Sequence, residues 1–342
     1  MGTQGRMHLV QITDGVSRRV AIVEEPHLRC LKGVGSVYEL AQRCLRQGSA
    51  LTELADSLAT GEELAYDAVY DGKAAWRLLA PIDVTGQPSR VLVSGTGLTH
   101  LGSARERQAM HQAGDAKAAE AITDSMRMFQ WGVDGGRPAE GAIGIAPEWF
   151  YKGDGSVLRG PFEALEIPGH AEAGGEEGEL SGVYVIDDEG VPHRIGITQG
   201  NEFSDHKFEK RNYLNLAGSK LRACSIGPEL VVDPDFGDVR GEVRIERAGG
   251  TVWYRKIASG EENMCHSLAN LEHHHFKFAG HRQPGGVHVH FFGADALSCG
   301  DGVVLREGDV AEVRFDGYGR ALRNRIREEG KIAAPVRVQA FG

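Results

Sequence analysis

No apolar run in the chain approaches the ~20 residues that a membrane-spanning helix needs, so no membrane partner is expected. The N-terminus lacks the apolar core of a secretory signal, and a cytoplasmic location is expected. Cysteine is scarce and scattered. Cys30, Cys44, Cys224, Cys265 and Cys299 form no C-x-x-C pair and are odd in number, which reads as reduced thiols rather than a disulfide framework. Cys224 would be the candidate if one of them were catalytic. Positive charge is in deficit, with 38 Lys and Arg against 48 Asp and Glu and a net charge of −10. Nucleic acid is therefore not an expected partner, since binding phosphates needs a basic face. The loop after Val91-Leu92-Val93 carries Gly95 and Gly97 but His100 where a third glycine would stand, so no dinucleotide fingerprint is present. No internal repeat is visible.

What is abundant is glycine, with 47 residues in a chain of 342. Tight turns and a β-rich body follow. Residues 1–88 read as a small α/β unit, with strands at Met7 to Ile12 and Arg19 to Glu24. Ser36-Val37-Tyr38-Glu39 is a capping box. It opens a helix whose apolar face is Val37, Leu40, Ala41, Cys44 and Leu45, with Gly48 as its stop. Pro81 to Pro88 reads as the passage into a second region, 89–342. There, Ser103 to Glu106 is a second capping box, a long helix is expected from Ala116 to Met128, and a hairpin from Gly241 to Tyr254.

The stretch from Glu176 to Glu229 is the densest in chemistry. Glu177 and Glu179 stand at the mouth of the apolar run Val183-Tyr184-Val185-Ile186. In a strand, residues i and i+2 share a face, so the two carboxylates project side by side. They repel unless a cation or a proton lies between them. Asp187-Asp188-Glu189-Gly190 reads as a turn that folds the next run back antiparallel. That brings Glu202, within Asn201-Glu202-Phe203-Ser204-Asp205-His206, towards the pair. Three carboxylates and water suit Mg²⁺, which takes oxygen ligands at about 2.0–2.1 Å and keeps several waters. A solvated acidic turn is the bland alternative. Lys220-Leu221-Arg222 forms a basic step before Ile226-Gly227-Pro228.

As a set, these motifs resemble the metal-binding core of the fumarylacetoacetate hydrolase superfamily. There an E-x-E-L pair lies on a strand and an N-D-x-S-D-R-like motif supplies a third carboxylate. Glu177-Gly178-Glu179-Leu180 matches the first, and Asn201 to His206 the second, with Glu for Asp and His for Arg. The lysine of the basic step is shifted by about two places. The most similar branch is that of the 2-keto-3-deoxy-pentonate dehydratases, and the resemblance spans roughly residues 90 to 330. It implies an α+β fold, a small N-terminal α/β domain followed by a mixed β-roll. It implies Mg²⁺ or Mn²⁺ held by Glu177, Glu179 and Glu202, and a homodimer acting on a small 2-keto acid. The implied reaction is dehydration of a 2-keto-3-deoxy sugar acid, a pentonate, to 2,5-dioxopentanoate by way of an enolate. Lys220 would be catalytic, with Glu106 or His100 moving protons. Lys152, Arg222 and Asn201 would contact substrate. The alternative on the same platform is hydrolysis of a C–C bond in 2,4-diketo acids.

Three further points stay open in the sequence. Glu106 has a plainer job in capping Ser103, and Lys152 a plainer one as an exposed lysine after an aromatic anchor. Where many superfamily members carry Gly-Thr, this chain has Gly293-Ala294, so that contact is absent or Asp295 or Ser298 makes it instead. His273-His274-His275 and His288-Val289-His290 raise a rival Zn²⁺ or Fe²⁺ site. No nearby histidine-plus-carboxylate pattern completes a cupin set, so hydrogen bonding inside the core or pocket is the plainer reading.

Overall fold

Apolar spacing sets the first helix. Val37, Leu40, Ala41 and Cys44 are all buried on helix Val37–Gln47, and Gly48 ends it at φ 64°, a left-handed conformation open to glycine at little cost. The Ser36 hydroxyl accepts from the Glu39 N–H at 3.1 Å. The molecule is described here from a computed structural model covering residues 5–112, 123–332 and 334–341.

The strands form two sheets. The larger has 13 strands. Its main path runs from Ala59–Ala65 through His27–Leu31, Arg18–Glu24, His8–Thr13, Leu230–Val231, Pro192–Asn201, Gly178–Ile186, Val287–Phe291 and Val91–Gly97 to Glu148–Asp154. Most neighbours are antiparallel, but Val287–Phe291 and Val91–Gly97 run parallel. The smaller sheet holds the expected hairpin, Val239–Arg247 with Gly250–Ser259, followed by Val310–Phe315, Leu322–Glu328 and Leu165–Ile167. Mixed helix and strand give the α+β character expected. The large sheet crosses the 88/89 passage without interruption, since His8 pairs with Val231 and Leu9 with Leu230.

The main core lies between the sheets, where Leu180 and Ile197 of one meet Val243, Ile245, Val313 and Phe315 of the other. A second core, with Leu9, Leu40, Val183, Val289 and Phe291, sits under the first helix. Among the described residues no helix is long and apolar enough to cross a membrane.

Two helix expectations change. The helix after the Val91–Gly97 strand spans Leu101–Gln112, so Ser103 lies inside it rather than capping it. His100 takes the cap position, its carbonyl accepting from Ala104 N–H at 3.2 Å and from the Ser103 hydroxyl at 3.3 Å. Of the helix expected at Ala116 to Met128, residues 116–122 lie outside those described. The observed helix is Asp124–Gly135, begun where Thr123 accepts from Met126 N–H.

Gly178, between the two glutamates, faces the second sheet. A Cβ there would sit 2.4 Å from Val243 Cγ2. Gly178→Ala is therefore expected to cost about 1–3 kcal/mol by overpacking. Combined with Val243→Ala, the loss should be smaller than the sum of the single changes, measured by urea unfolding. Strict additivity would show that the two residues do not press on each other.

Candidate active site

The hairpin after the Asp187–Gly190 turn forms, with Gly178 opposite Asn201 and Glu179 opposite Gly200. The Glu202 N–H donates to the Glu177 carbonyl at 2.9 Å, fixing both side chains at one end of the hairpin. Carboxylate oxygens of Glu177, Glu179 and Glu202 lie within 4.8 Å of one another. All three residues are buried, so a solvated acidic turn is not what this motif forms.

Three like charges out of water need compensation. Two buried ammonium groups supply part of it. Lys220 Nζ lies 2.5 Å from Glu177 Oε1 and also contacts Glu202; it donates to Ser204 Oγ at 2.8 Å. Lys152 Nζ lies 2.6 Å from Glu202 Oε1 and donates to the Phe203 carbonyl at 2.7 Å. Lys152 is thus fully buried rather than an exposed lysine. Burial opposes ionisation of Glu177, but Lys220 and His206 outweigh it and hold this carboxyl well below its usual range. Burial, then the charges of Glu177 and Glu202, push Glu179 well above its usual range. Glu202 is raised by burial and by Glu177 against the pull of both lysines. Burial works against a charge on His206, but Cys299 and Glu177 raise this imidazole well above its usual range, so it joins the two ammoniums in balancing the carboxylates. An all-oxygen, convergent, buried donor set of this kind fits a hard divalent cation.

The other expected residues surround this cluster. Asn201 Oδ1 accepts from the Glu177 N–H at 3.1 Å. Arg222 donates to Asp205 Oδ2 at 3.1 Å and to the Ala173 carbonyl at 2.8 Å. Asp205 also caps helix His206–Arg211 through the Phe208 N–H, so Arg222 braces that turn. Thr99 gives its hydroxyl proton to the Phe292 carbonyl at 2.7 Å. Its oxygen can then only accept from His100 Nδ1, 2.9 Å away, which leaves His100 Nε2 as a bare acceptor. Burial lowers this imidazole to about 4, so it is neutral near pH 7. Asn201 Nδ2 and His100 Nε2 have no hydrogen-bond partner among the described residues. Each has capacity left for a ligand. The side chain of Glu106 lies outside the described residues.

Neither substitute for the missing threonine reaches out as expected. Asp295 accepts from Ala258 N–H at 3.1 Å, and Ser298 bonds Glu176 through both its N–H and its hydroxyl. Gly293 instead gives its N–H to Glu179 Oε2 at 2.7 Å. Cys224 is buried in the core with its thiol pushed up to about 12 by that burial, so it is no nucleophile.

The histidines are committed to one another and to hydroxyls. His290 bonds Ser94 and Thr96 hydroxyls through its two nitrogens, each at 2.8 Å. The Trp149 N–H donates to His275 Nδ1 at 3.2 Å, so His275 Nε2 carries the proton it shares with His288 Nδ1 at 2.9 Å. Burial holds these imidazoles neutral. Among the described residues, the three glutamates are the one His, Cys, Asp or Glu group whose donor atoms converge on a single point. Sequence reasoning missed Glu176, fully buried beside the triad, and assigned no role to His206, which contacts Glu177 Oε1 at 3.0 Å. The one available signal for His206 was its place in the second acidic motif.

No family model matches the sequence, and no curated protein matches it. Solved structures do match in fold. A 2-keto-3-deoxy-D-arabinonate dehydratase complexed with magnesium and 2,5-dioxopentanoate aligns at TM-score 0.68 and 18% identity, over 95% of this chain and 100% of that one. A 5-carboxymethyl-2-hydroxymuconate delta-isomerase from Mycobacterium smegmatis aligns at 0.57 and 18%, over 94% and 100%. A 2-hydroxyhepta-2,4-diene-1,7-dioate isomerase from Mycobacterium marinum aligns at 0.57 and 18%, over 95% and 100%. The resemblance to the fumarylacetoacetate hydrolase superfamily read from the motifs thus has a counterpart in the fold.

Removing one buried ammonium should upset this charge balance. In metal-free protein, Lys220→Met is expected to cost about 3–5 kcal/mol, as when one partner of a buried ion pair is deleted. Urea unfolding at pH 7 measures it; a loss below about 1 kcal/mol would mean that Lys220 does not hold the triad together.

Proposed function

We propose that the chain is a divalent-metal-dependent hydro-lyase that removes water from a 2-keto-3-deoxy sugar acid, a pentonate in the first instance. The observation that carries this reading is the buried, convergent Glu177–Glu179–Glu202 cluster with Lys220 against it. The likeness in fold to a magnesium-complexed dehydratase supports it.

Glu177, Glu179 and Glu202 would hold Mg²⁺ or Mn²⁺. Bound there, the cation would supply positive charge beside the substrate's carboxylate and keto oxygens, acidifying the adjacent C–H. The chain's own residues do the rest. Lys220 places a second positive charge at the same point, steadying negative charge that develops on the substrate. His100 Nε2, a neutral acceptor with its tautomer fixed by Thr99, takes the C3 proton. Asn201 Nδ2 donates to a substrate oxygen. Lys152 and Arg222 act at one remove, since both are tied to Glu202 and Asp205. The C4–O bond then breaks as the C3–C4 double bond forms, the hydroxyl leaving as water with the proton that His100 took, and a proton shift from C5 to C3 turns the C5 alcohol into the aldehyde by way of its enol. The binding partner is a small 2-keto acid and the working unit a homodimer.

The test is a turnover assay with Mg²⁺ on 2-keto-3-deoxy-pentonates and hexonates, run beside Glu179→Gln, Lys220→Met and His100→Ala. The expected product is one semialdehyde, abolished in Glu179→Gln together with metal binding. His100→Ala should lower turnover by about 10²–10⁴, the usual worth of a positioned proton-transfer group, and Lys220→Met by about 10²–10³, as when one charge-stabilising donor is lost. Two fragments from a 2,4-diketo acid, with no dehydration, would move the reaction to C–C hydrolysis. No reaction and unchanged metal content in Glu179→Gln would overturn both.

A further inference from the structure

Next to Glu177, through His206, lies a group that the proposed reaction does not use. Ser298 is pinned to Glu176, its N–H donating at 2.6 Å and its hydroxyl bonding the second oxygen. That fixes the next residue, Cys299, whose Sγ lies 3.0 Å from His206 Nδ1. His206 Nε2 lies 3.0 Å from Glu177 Oε1. That oxygen also receives Lys220 and Ser204 at 2.5 Å, so it acts as an acceptor and His206 Nε2 carries the proton. Nδ1 and the Cys299 sulfur share the hydrogen bond on the other side of the ring. A nucleophile, a base within hydrogen-bond reach and a carboxylate that orients the base make up the geometry of an activated nucleophile.

Access distinguishes this thiol from the rest. Cys30, Cys44, Cys224 and Cys265 are buried, and Cys299 is not. With His206 it lines a cleft of about 810 Å³ that also carries Lys207, Lys210 and Arg211. Arg211 is neutralised by Glu172 at 2.6 Å. Lys207 and Lys210 are exposed and form no ion pair among the described residues. The cleft therefore presents uncompensated positive charge beside the sulfur.

We propose that Cys299, served by His206, is a covalent modification site for small electrophiles that carry a carboxylate, which enter from the Lys207 and Lys210 side. With an α-halo acid, the C–S bond forms as the carbon–halogen bond breaks. The halide leaves with the bonding pair, and the thiol proton passes to His206 Nδ1. With an α,β-unsaturated acid, sulfur adds at the β carbon and the same proton ends on the α carbon. Either adduct replaces the thiol with a thioether beside His206, the residue that bonds Glu177 Oε1. The inference requires neither a bound metal nor the dehydration reaction.

The test reads adducts, not turnover, so its outcome is separate from that of the proposed function. The full chain, freed of metal by chelation, is pulsed with iodoacetate or iodoacetamide and analysed by intact mass and peptide mapping. Cys299 should be labelled first. Its preference for iodoacetate over iodoacetamide should exceed that of free cysteine several-fold, because the lysines attract the anion. Lys207→Ala combined with Lys210→Ala should slow iodoacetate and leave iodoacetamide unchanged. His206→Asn, with folding checked by circular dichroism, should slow both reagents by about tenfold or more. If His206→Asn fails to fold, the reagent preference of the parent chain decides. A Cys299 that reacts no faster than an unassisted thiol and shows no charge preference overturns the proposal.

Discussion

Confining three glutamates within 4.8 Å in the protein interior is the constraint to which the surrounding structure answers. Each buried carboxylate carries a desolvation cost that only a nearby positive charge or a proton removes. Lys152 arrives from the Glu148–Asp154 strand and Lys220 from the short helix Leu216–Lys220. His206 arrives from the start of the helix that Asp205 caps. Gly293 adds a backbone N–H from beyond the Val287–Phe291 strand. The positions of four separate segments are thus set by one electrostatic problem.

The histidine network solves the opposite problem. Its imidazoles are buried without a compensating anion, and they stay neutral. Each ring nitrogen of His290 meets a hydroxyl, and His275 stacks on His290 with ring centroids 4.4 Å apart. Saturated lone pairs leave nothing for a metal. Histidine density in a sequence therefore says little about ligation until the partners of each nitrogen are known.

Much of the acidic centre was legible because its parts are close in sequence. Glu177 and Glu179 obey strand alternation, a four-residue turn returns the chain, and Glu202 follows directly. The first helix was legible for the same reason, through its spacing, cap and glycine stop. What could not be read were long-range partners. Lys152 could be read either as a substrate contact or as an exposed lysine, because Glu202, its partner at 2.6 Å, lies far along the chain. Cys299 and His206 are 93 positions apart, and Ser298 and Glu176 are 122 apart, with no periodicity to connect them. The start of the helix at Leu101 was misjudged because Ser103 to Glu106 matches a capping box locally. The His100 carbonyl captures the first helical hydrogen bond earlier.

The N-terminal segment closes an edge. Leu230–Val231 is a two-residue strand whose outer side is covered by His8–Thr13. Glu229 reinforces the seam, accepting from Tyr66 at 2.9 Å and contacting His8 at 2.6 Å. An uncovered strand edge invites pairing with another chain and aggregation. Recombining the first region with the roll of a relative, by gene fusion or by design, would therefore not exchange a free-standing module. The incoming first strand would have to meet Leu230 and Val231 in register and bring its own partners for the buried glutamate.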